Sequence, residues 1–132
     1  MPNNLSVTLN KAQSPWSVDV DQHGNDNEVS QGPTAQTITW QLSGNAASGS
    51  FAPINGNANP GFAWISAPPD GIFGPPTLSG NGNTLTMTDL NSGSSTSGMW
   101  TYVLRVNVDG TVYSTKTLSI GATDTNPWIK NK

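Results

Sequence analysis

The chain of 132 residues contains no cysteine, a single histidine and few charged residues. Without cysteine it has no disulfide framework, no thiolate nucleophile and no sulfur ligand for a metal ion. Charged residues make up 10% of the chain, with five basic and eight acidic residues and a formal net charge of −3. This balance lacks the basic footprint of a protein that binds nucleic acid or an anionic membrane surface.

Long hydrophobic runs are also missing. No apolar stretch approaches the roughly 20 residues that a membrane span needs. The N-terminal stretch 1–16 has neither the cationic start nor the apolar centre of a secretory signal. The default expectation is a cytoplasmic protein. A mature exported chain with an added Met, or a protein secreted by a non-classical route, would have the same features.

Small neutral polar residues dominate what is present, since Asn, Ser, Thr and Gly together account for 59 of the 132 residues. These residues disfavour helix interiors, whereas Thr suits strands and the other three suit turns. A chain of this length is expected to fold as one domain, 1–132, that is large enough to bury a core. The composition therefore predicts a single all-β domain with long polar loops.

Alternation of apolar and polar side chains predicts seven strands. The inward positions of six of them are Leu5, Val7 and Leu9; Trp16, Val18 and Val20; Ile38, Trp40 and Leu42; Phe62 and Trp64; Leu85, Met87 and Asp89; and Trp100, Tyr102, Leu104, Val106 and Val108. The seventh, 111–120, has a less regular phase and is predicted to be an edge strand or to contain a bulge. Asp109-Gly110 predicts a type I′ turn before it, with positive φ at both residues.

Seven alternating strands in a chain of this size predict a two-sheet antiparallel β-sandwich of immunoglobulin-like type. Trp40 lies where such folds place a core tryptophan on a central strand. Trp100 stands at the place of the corner tyrosine of these domains, and Tyr102 at the place of the second cysteine of antibody domains. Because of this departure, the sequence does not establish the hydrogen bond that the corner tyrosine makes in these domains.

Three stretches of the C-terminal half resemble a known family. They read PPTLSGNGNTLTMTDLN, GMWTYVLRV and TNPWIKNK, and they fall within about residues 75–131. Together they are similar to DP-EP, a family of small bacterial proteins of uncharacterised function. The Asp-Pro and Glu-Pro pairs of that family would fall between residues 19 and 33, where this chain has neither pair. The resemblance implies a β-sandwich and no particular activity.

The stretch DVDQHGNDNE, residues 19–28, holds four of the eight acidic residues and the only histidine. The first positions of a calcium loop are matched by Asp19, Asp21, His23 and Gly24. The position of the bidentate glutamate is Ser30, and an imidazole stands where calcium needs an oxygen ligand. An ion held in another geometry with Asp26 or Glu28 is the alternative. The prediction is a solvated turn without a metal ion.

Catalytic arrangements are not indicated. A serine triad needs a base, but His23 is the only histidine and the chain has no G-x-S-x-G elbow. Paired carboxylates for glycoside hydrolysis could in principle be drawn from Asp70, Asp89 and Asp109, but no spacing singles out a pair. The glycine-rich stretches GNGNT and SGNAASG open no helix and so predict no phosphate site. We expect a protein that is not an enzyme and uses no cofactor.

Aromatic side chains are the strongest functional signal. Most of them have inward phases, but Phe73 lies in the proline-bracketed loop PPDGIFGPP, and Trp128 and Ile129 lie in the tail NPWIKNK. Apolar groups in such places are either folded back as plugs or exposed as contacts. If they are exposed, Phe73, Trp128 and Ile129 predict a binding surface, because aromatic anchors carry much of the binding energy at interfaces.

Two classes of function remain. The favoured one is a non-enzymatic binding or assembly module that meets a protein partner, or itself as a homo-oligomer, through strand edges, Phe73 and the tail. The edge strand 111–120 carries a single charge, Lys116, and low overall charge reduces repulsion between copies. The alternative is a carbohydrate-binding domain whose Asn-rich loops, 55–59 and 81–83, bond sugar hydroxyls. Aromatic residues are scarce near those loops, which disfavours it.

Overall fold

The computed structural model describes residues 3–12, 16–21, 27–54, 59–115 and 127–132. These residues contain eleven strands, two single-turn 3₁₀ helices and no α-helix. The strands are β1 Asn4–Asn10, β2 Ser17–Val20, β3 Glu28–Val29, β4 Gln36–Leu42, β5 Ser50–Phe51, β6 Phe62–Trp64, β7 Thr77–Leu78, β8 Thr84–Asp89, β9 Gly98–Val108, β10 Thr111–Ser114 and β11 Trp128–Asn131. The 3₁₀ helices are Gly44–Ala46 and Ser94–Thr96.

The strands form two mixed sheets that pack together. The first sheet has the order β2-β1-β4-β8-β7, and the second has the order β10-β9-β11-β3 with β5 and β6 also paired to β9. The prediction of an all-β fold with two sheets is confirmed. The prediction of purely antiparallel sheets is wrong, because β1 runs parallel to β4 and β3 runs parallel to β11. Parallel pairing needs a long connection, and residues 11–35 supply one between β1 and β4.

All seven predicted strands are present, as β1, β2, β4, β6, β8, β9 and β10. Four strands were not predicted, namely β3, β5, β7 and β11. Three of these have only two residues, which is too short for alternation to show. As predicted, β10 stands at an end of its sheet, and a bridge between Val18 and Thr115 joins it to β2. Residues 116–120 of the predicted strand, including Lys116, lie outside the described residues.

The core lies between the sheets and consists of side chains with inward phase. Its most buried members include Leu5, Val7, Ile38, Trp40, Leu85, Met87, Leu104, Val106 and Ile129. Asp89 is also buried, as its phase predicts. Trp16 was predicted to face inward but is 39% exposed, because β2 begins one residue later, and its ring stacks on Tyr113 with centroids 5.7 Å apart.

The hairpin between β9 and β10 has the predicted register. Val108 pairs with Thr111, which leaves Asp109 and Gly110 as the two loop residues. Their φ angles are 55° and 84°, the positive values that a type I′ turn requires. The side-chain oxygen of Asn107 accepts a hydrogen bond from the Gly110 N–H at 3.1 Å. The turn prediction is confirmed.

Trp40 of β4 and Tyr102 of β9 meet between the two sheets. The indole N–H of Trp40 donates to the hydroxyl of Tyr102 at 2.9 Å, and the rings are T-shaped with centroids 5.5 Å apart. Both side chains are fully buried, and burial raises the pKa of the Tyr102 hydroxyl far above its usual range. The neutral hydroxyl therefore satisfies the buried indole N–H, and Trp40 is the predicted core tryptophan.

Candidate functional site

The acidic stretch is only partly described. Asp19 and Asp21 are exposed at the end of β2, while Glu28 lies on β3 with its Oε1 3.3 Å from Lys132 Nζ. His23 and the other residues from 22 to 26, including Asp26, lie outside the described residues. Within the described ranges, no three His, Cys, Asp or Glu residues are grouped as metal ligands would be. The solvated turn therefore stays a prediction.

Six aromatic rings form one connected cluster that runs outward from the core. Its members are Trp40, Phe62, Trp64, Phe73, Trp100 and Tyr102. Phe73 is half-buried between two further half-buried rings, with centroids 4.8 Å from Trp64 and 5.6 Å from Trp100. Its backbone also bridges to Asp89. Phe73 is therefore folded back and packs against the sandwich.

Trp128 and Ile129 belong to β11. Trp128 pairs with Thr101, and Ile129 pairs with Trp100. Ile129 is fully buried, because strand alternation turns it toward the core, and it is not accessible to a partner there. Trp128 points to the opposite face and is half-buried. Of the two tail residues in the predicted binding surface, only Trp128 therefore reaches the outside.

Trp128 shares the outer face of the second sheet with two exposed apolar side chains. Met99 and Thr101 face outward because their neighbours along β9 face the core. Thr101 pairs with Trp128 on one strand, and its carbonyl accepts a hydrogen bond from the N–H of Ile65 at 2.9 Å. Met99 is 58% exposed and Ile65 is 46% exposed. Neighbouring strands lie about 4.8 Å apart, so Ile65, Met99 and Trp128 form a contiguous group around Thr101, the apolar patch.

Charges of both signs border the apolar patch. Lys130 is the cross-strand partner of Met99, and Glu28 is the cross-strand partner of Lys130, so the three form a row on the outer face. The ion pair between Glu28 and Lys132 lies at the same margin. The border of the patch therefore carries one acidic and two basic side chains.

The outer face of the first sheet is rich in hydroxyl groups and also carries the exposed carboxylate of Asp19, which pairs with Thr8. A shallow groove of about 400 Å³ lies there, lined by Asn4, Leu5, Ser6, Thr39 and Gln41. Thr39 pairs with Thr86, which pairs in turn with Thr77, and the last two hydroxyls are 2.8 Å apart. None of the five lining residues is aromatic. The groove offers hydrogen bonds but no ring on which a sugar could stack.

The described Asn-rich loop, 81–83, uses side-chain groups of Asn81 and Asn83 for hydrogen bonds within the protein. The side-chain oxygen of Asn81 accepts hydrogen bonds from the Ser79 hydroxyl at 2.9 Å and from the Asn83 N–H at 3.1 Å. The side-chain amide of Asn83 donates to the carbonyl of Ala47 at 3.0 Å. The bonds of Asn81 hold the turn itself, and the bond of Asn83 ties it to the loop at Ala47. Residues 55–58 of the other loop lie outside the described residues.

Sequence reasoning missed a buried polar cluster that joins the two sheets. The side-chain amide of Asn91 donates to the carbonyls of Val29 at 2.8 Å and Lys132 at 3.1 Å, and its oxygen accepts from the Thr96 hydroxyl at 2.9 Å. The side-chain amide of Asn131 donates to the Thr96 carbonyl at 2.8 Å. The alternation of inward and outward side chains could have indicated this cluster, because Asn131 follows Ile129 by two residues and so has the same phase.

Asp89 completes this cluster from the end of β8. The amide of Asn131 donates to Asp89 Oδ1 at 2.9 Å. Burial raises the pKa of the Asp89 carboxyl from 3.8 to about 6, and the hydrogen bond from Asn131 lowers it to a smaller extent. A perturbed carboxyl can mark a functional site. Here its hydrogen-bond partner is the amide of Asn131, which also bonds the Thr96 carbonyl, so the cluster has the chemistry of a structural joint.

No protein-family model, curated protein or solved structure matches the chain. The resemblance of residues 75–131 to the DP-EP family therefore stays a prediction. No helix among the described residues is both long enough and apolar enough to cross a membrane.

Proposed function

We propose that this protein is a non-enzymatic assembly module and that a second copy of the chain docks on the apolar patch. The observation that carries the proposal is the juxtaposition of Ile65, Met99 and Trp128 on the outer face of one sheet. Single exposed apolar residues are ordinary on protein surfaces, whereas a contiguous group with a polar border is typical of an interface. A tryptophan at its margin adds the residue type that most often anchors binding.

Charge supports a second copy as the occupant. The border of the patch holds Glu28, Lys130 and Lys132, so two such faces meet without the repulsion of a single-sign field. The net charge of −3 on a chain of 13.8 kDa also adds little long-range repulsion between copies. Both features favour self-association over binding to a strongly charged partner.

The proposal includes an immunoglobulin-like relationship for the sandwich. It is supported by the burial of Trp40 at the centre of the core, where such domains have a tryptophan. Tyr102 lies on the other sheet, whereas antibody domains have the core tryptophan and the second cysteine on the same sheet, so Tyr102 does not stand at the place of that cysteine. An experimental structure in which Trp40 lies outside the core would contradict the relationship.

Light scattering across a micromolar concentration series tests the assembly. We expect the wild-type mass to approach twice 13.8 kDa. Met99→Glu places a charge in the patch and is expected to reduce the mass to that of one chain. Val112→Glu is the matched control, because Val112 is 54% exposed on the same outer face. It lies opposite Asn107, about 27 Å from Met99 along β9.

Each outcome of this experiment decides a part of the proposal. A wild-type chain that stays at 13.8 kDa throughout the series would rule out self-assembly. Equal dissociation by the two substitutions would show that the interface is not the apolar patch. Dissociation by Met99→Glu alone is the result that the proposal requires.

A second candidate function, carbohydrate binding, is favoured by the groove on the first sheet. The amide of Asn4 and the hydroxyls of Ser6 and Thr39 supply neutral donors and acceptors, which suit a ligand rich in hydroxyl groups. Glycan-array screening tests this candidate. Binding that is lost in Thr39→Val and retained in Met99→Glu would locate it in the groove, and an array without signal would remove it.

A further inference from the structure

Two buried oxygen atoms of the polar cluster have no hydrogen-bond partner. They are Asp89 Oδ2 and Asn131 Oδ1, on residues that are 0% and 2% exposed. The two side chains are already joined by the bond from Asn131 Nδ2 to Asp89 Oδ1, at 2.9 Å. When Asp89 is ionised, both unpaired atoms are acceptors and neither can satisfy the other. Buried polar atoms without partners are uncommon in folded proteins and call for an explanation.

We propose that, in mildly acidic solution, Asp89 is held as a neutral acid whose O–H donates to Asn131 Oδ1. A protonated carboxyl has one donor and one free acceptor oxygen, and a primary amide has the complementary pair. The bond from Asn131 Nδ2 to Asp89 Oδ1 then closes a ring of two hydrogen bonds between acid and amide. The other Nδ2 hydrogen keeps its bond to the Thr96 carbonyl at 2.8 Å. One proton thus satisfies both unpaired oxygens, and we name the joined pair the acid–amide latch.

A proton fits this place better than a metal ion. Hard cations require several oxygen ligands and usually keep bound water. The two unpaired atoms are sealed from solvent, and the rest of the cluster is already engaged in hydrogen bonds. Burial, which disfavours the ionised carboxyl, acts in the same direction as the proposed proton.

The charged groups on the elements packed around Asp89 do not replace this proton. Lys130 of β11 points to the outer face, and Lys132 pairs with Glu28 of β3 at 3.3 Å. Asp70, on the loop that leads to Phe73, is exposed. The strands β4 and β8 and the 3₁₀ helix Ser94–Thr96 carry no other charged residue.

The latch joins the last residue of β8 in the first sheet to the last residue of β11 in the second. The pKa of Asp89 is raised in the folded chain, so the unfolded chain loses its proton first as the pH rises. The stabilisation by the proton is therefore complete below pH 3.8, declines as the pH rises, and is lost above about 6. A separation of about two pH units corresponds to about a hundredfold change in the folding equilibrium constant.

Carbon-13 NMR titration of the Asp89 carboxyl measures the protonation directly. We expect a midpoint near 6 in the folded protein. A midpoint at the ordinary value of 3.8 would overturn the proposal. This measurement uses the wild-type chain and does not depend on the assembly function proposed above.

Asp89→Asn tests the ring itself, because an amide N–H takes the place of the acid O–H without a titrating proton. We expect this variant to have a higher melting temperature than wild type at pH 7. Between about pH 4 and pH 7, its melting temperature should fall much less than that of wild type. Asp70→Asn is the control, since it removes an exposed carboxylate with the same change of charge. A lower melting temperature for Asp89→Asn at pH 7, or the same effect from Asp70→Asn, would contradict the latch.

Discussion

Replacing Tyr102 with Phe isolates the hydrogen bond that crosses the centre of the core between Trp40 and Tyr102. The change removes the hydroxyl that accepts the Trp40 indole N–H at 2.9 Å and leaves the aromatic ring in place. Both residues are 0% exposed, so water cannot replace the lost acceptor without opening the sandwich. A buried donor without a partner costs about 1–3 kcal/mol. We expect the free energy of unfolding to fall by about 2 kcal/mol.

Urea denaturation followed by tryptophan fluorescence measures this loss. The midpoint is expected to fall while the slope with denaturant stays unchanged, since the packed surface is the same. Tyr113→Phe is the control, because Tyr113 is half-buried on β10 and stacks on Trp16 through its ring. Its expected change is within about 0.5 kcal/mol. A loss below about 0.5 kcal/mol for Tyr102→Phe would refute the view that this bond stabilises the core.

Three further changes have defined outcomes. Gly110→Val should lower the free energy of unfolding by more than about 1 kcal/mol, because a β-branched residue is strained at φ 84° although no atom lies within 4 Å of the added Cβ. Gly110→Asn should cost less, because asparagine tolerates positive φ. A valine variant as stable as wild type would contradict the turn. Asp89→Asn should raise the free energy of unfolding at pH 7, measured by urea denaturation, because burial no longer opposes an ionised carboxyl at this position. Millimolar calcium should leave the melting temperature within about 1 °C; a rise of several degrees that Asp19→Asn with Asp21→Asn abolishes would show that the acidic stretch binds an ion.

Alternation predicted the strands that have one face on the core. In β1, β4 and β8, for example, the apolar residues recur at every second position and the predicted inward residues are buried. The Asp-Gly pair predicted the β9–β10 hairpin, because few other residue pairs accept the positive φ that a type I′ turn requires at both positions. These features depend on local sequence alone.

Features that depend on distant contacts were not predictable. The parallel pairing of β1 with β4 requires the chain to leave the sheet and return, and no local pattern encodes that path. Trp16 has inward phase, but the sheet starts after it and its ring turns to Tyr113. The alternation pattern alone therefore assigned too many residues to the core at the ends of strands.

The apolar patch shows the same division between local and distant information. The sequence indicated Trp128 but placed it in a tail, either folded back or exposed, because two apolar residues in NPWIKNK do not reveal a strand. The sequence did not indicate Ile65 and Met99, since each has the outward phase next to an inward tryptophan, Trp64 or Trp100. Only the register of β6, β9 and β11 brings the three side chains to one place.

Cross-linking through single cysteines tests the docking of a second copy most directly. The chain has no cysteine, so Met99→Cys and Val112→Cys each provide one thiol, at positions whose native side chains are 58% and 54% exposed. With a short bis-maleimide linker, we expect Met99→Cys to form a covalent dimer of twice 13.8 kDa well before Val112→Cys does. Equal rates for the two positions would mean that the copies meet only by random collision, which would contradict assembly through the apolar patch.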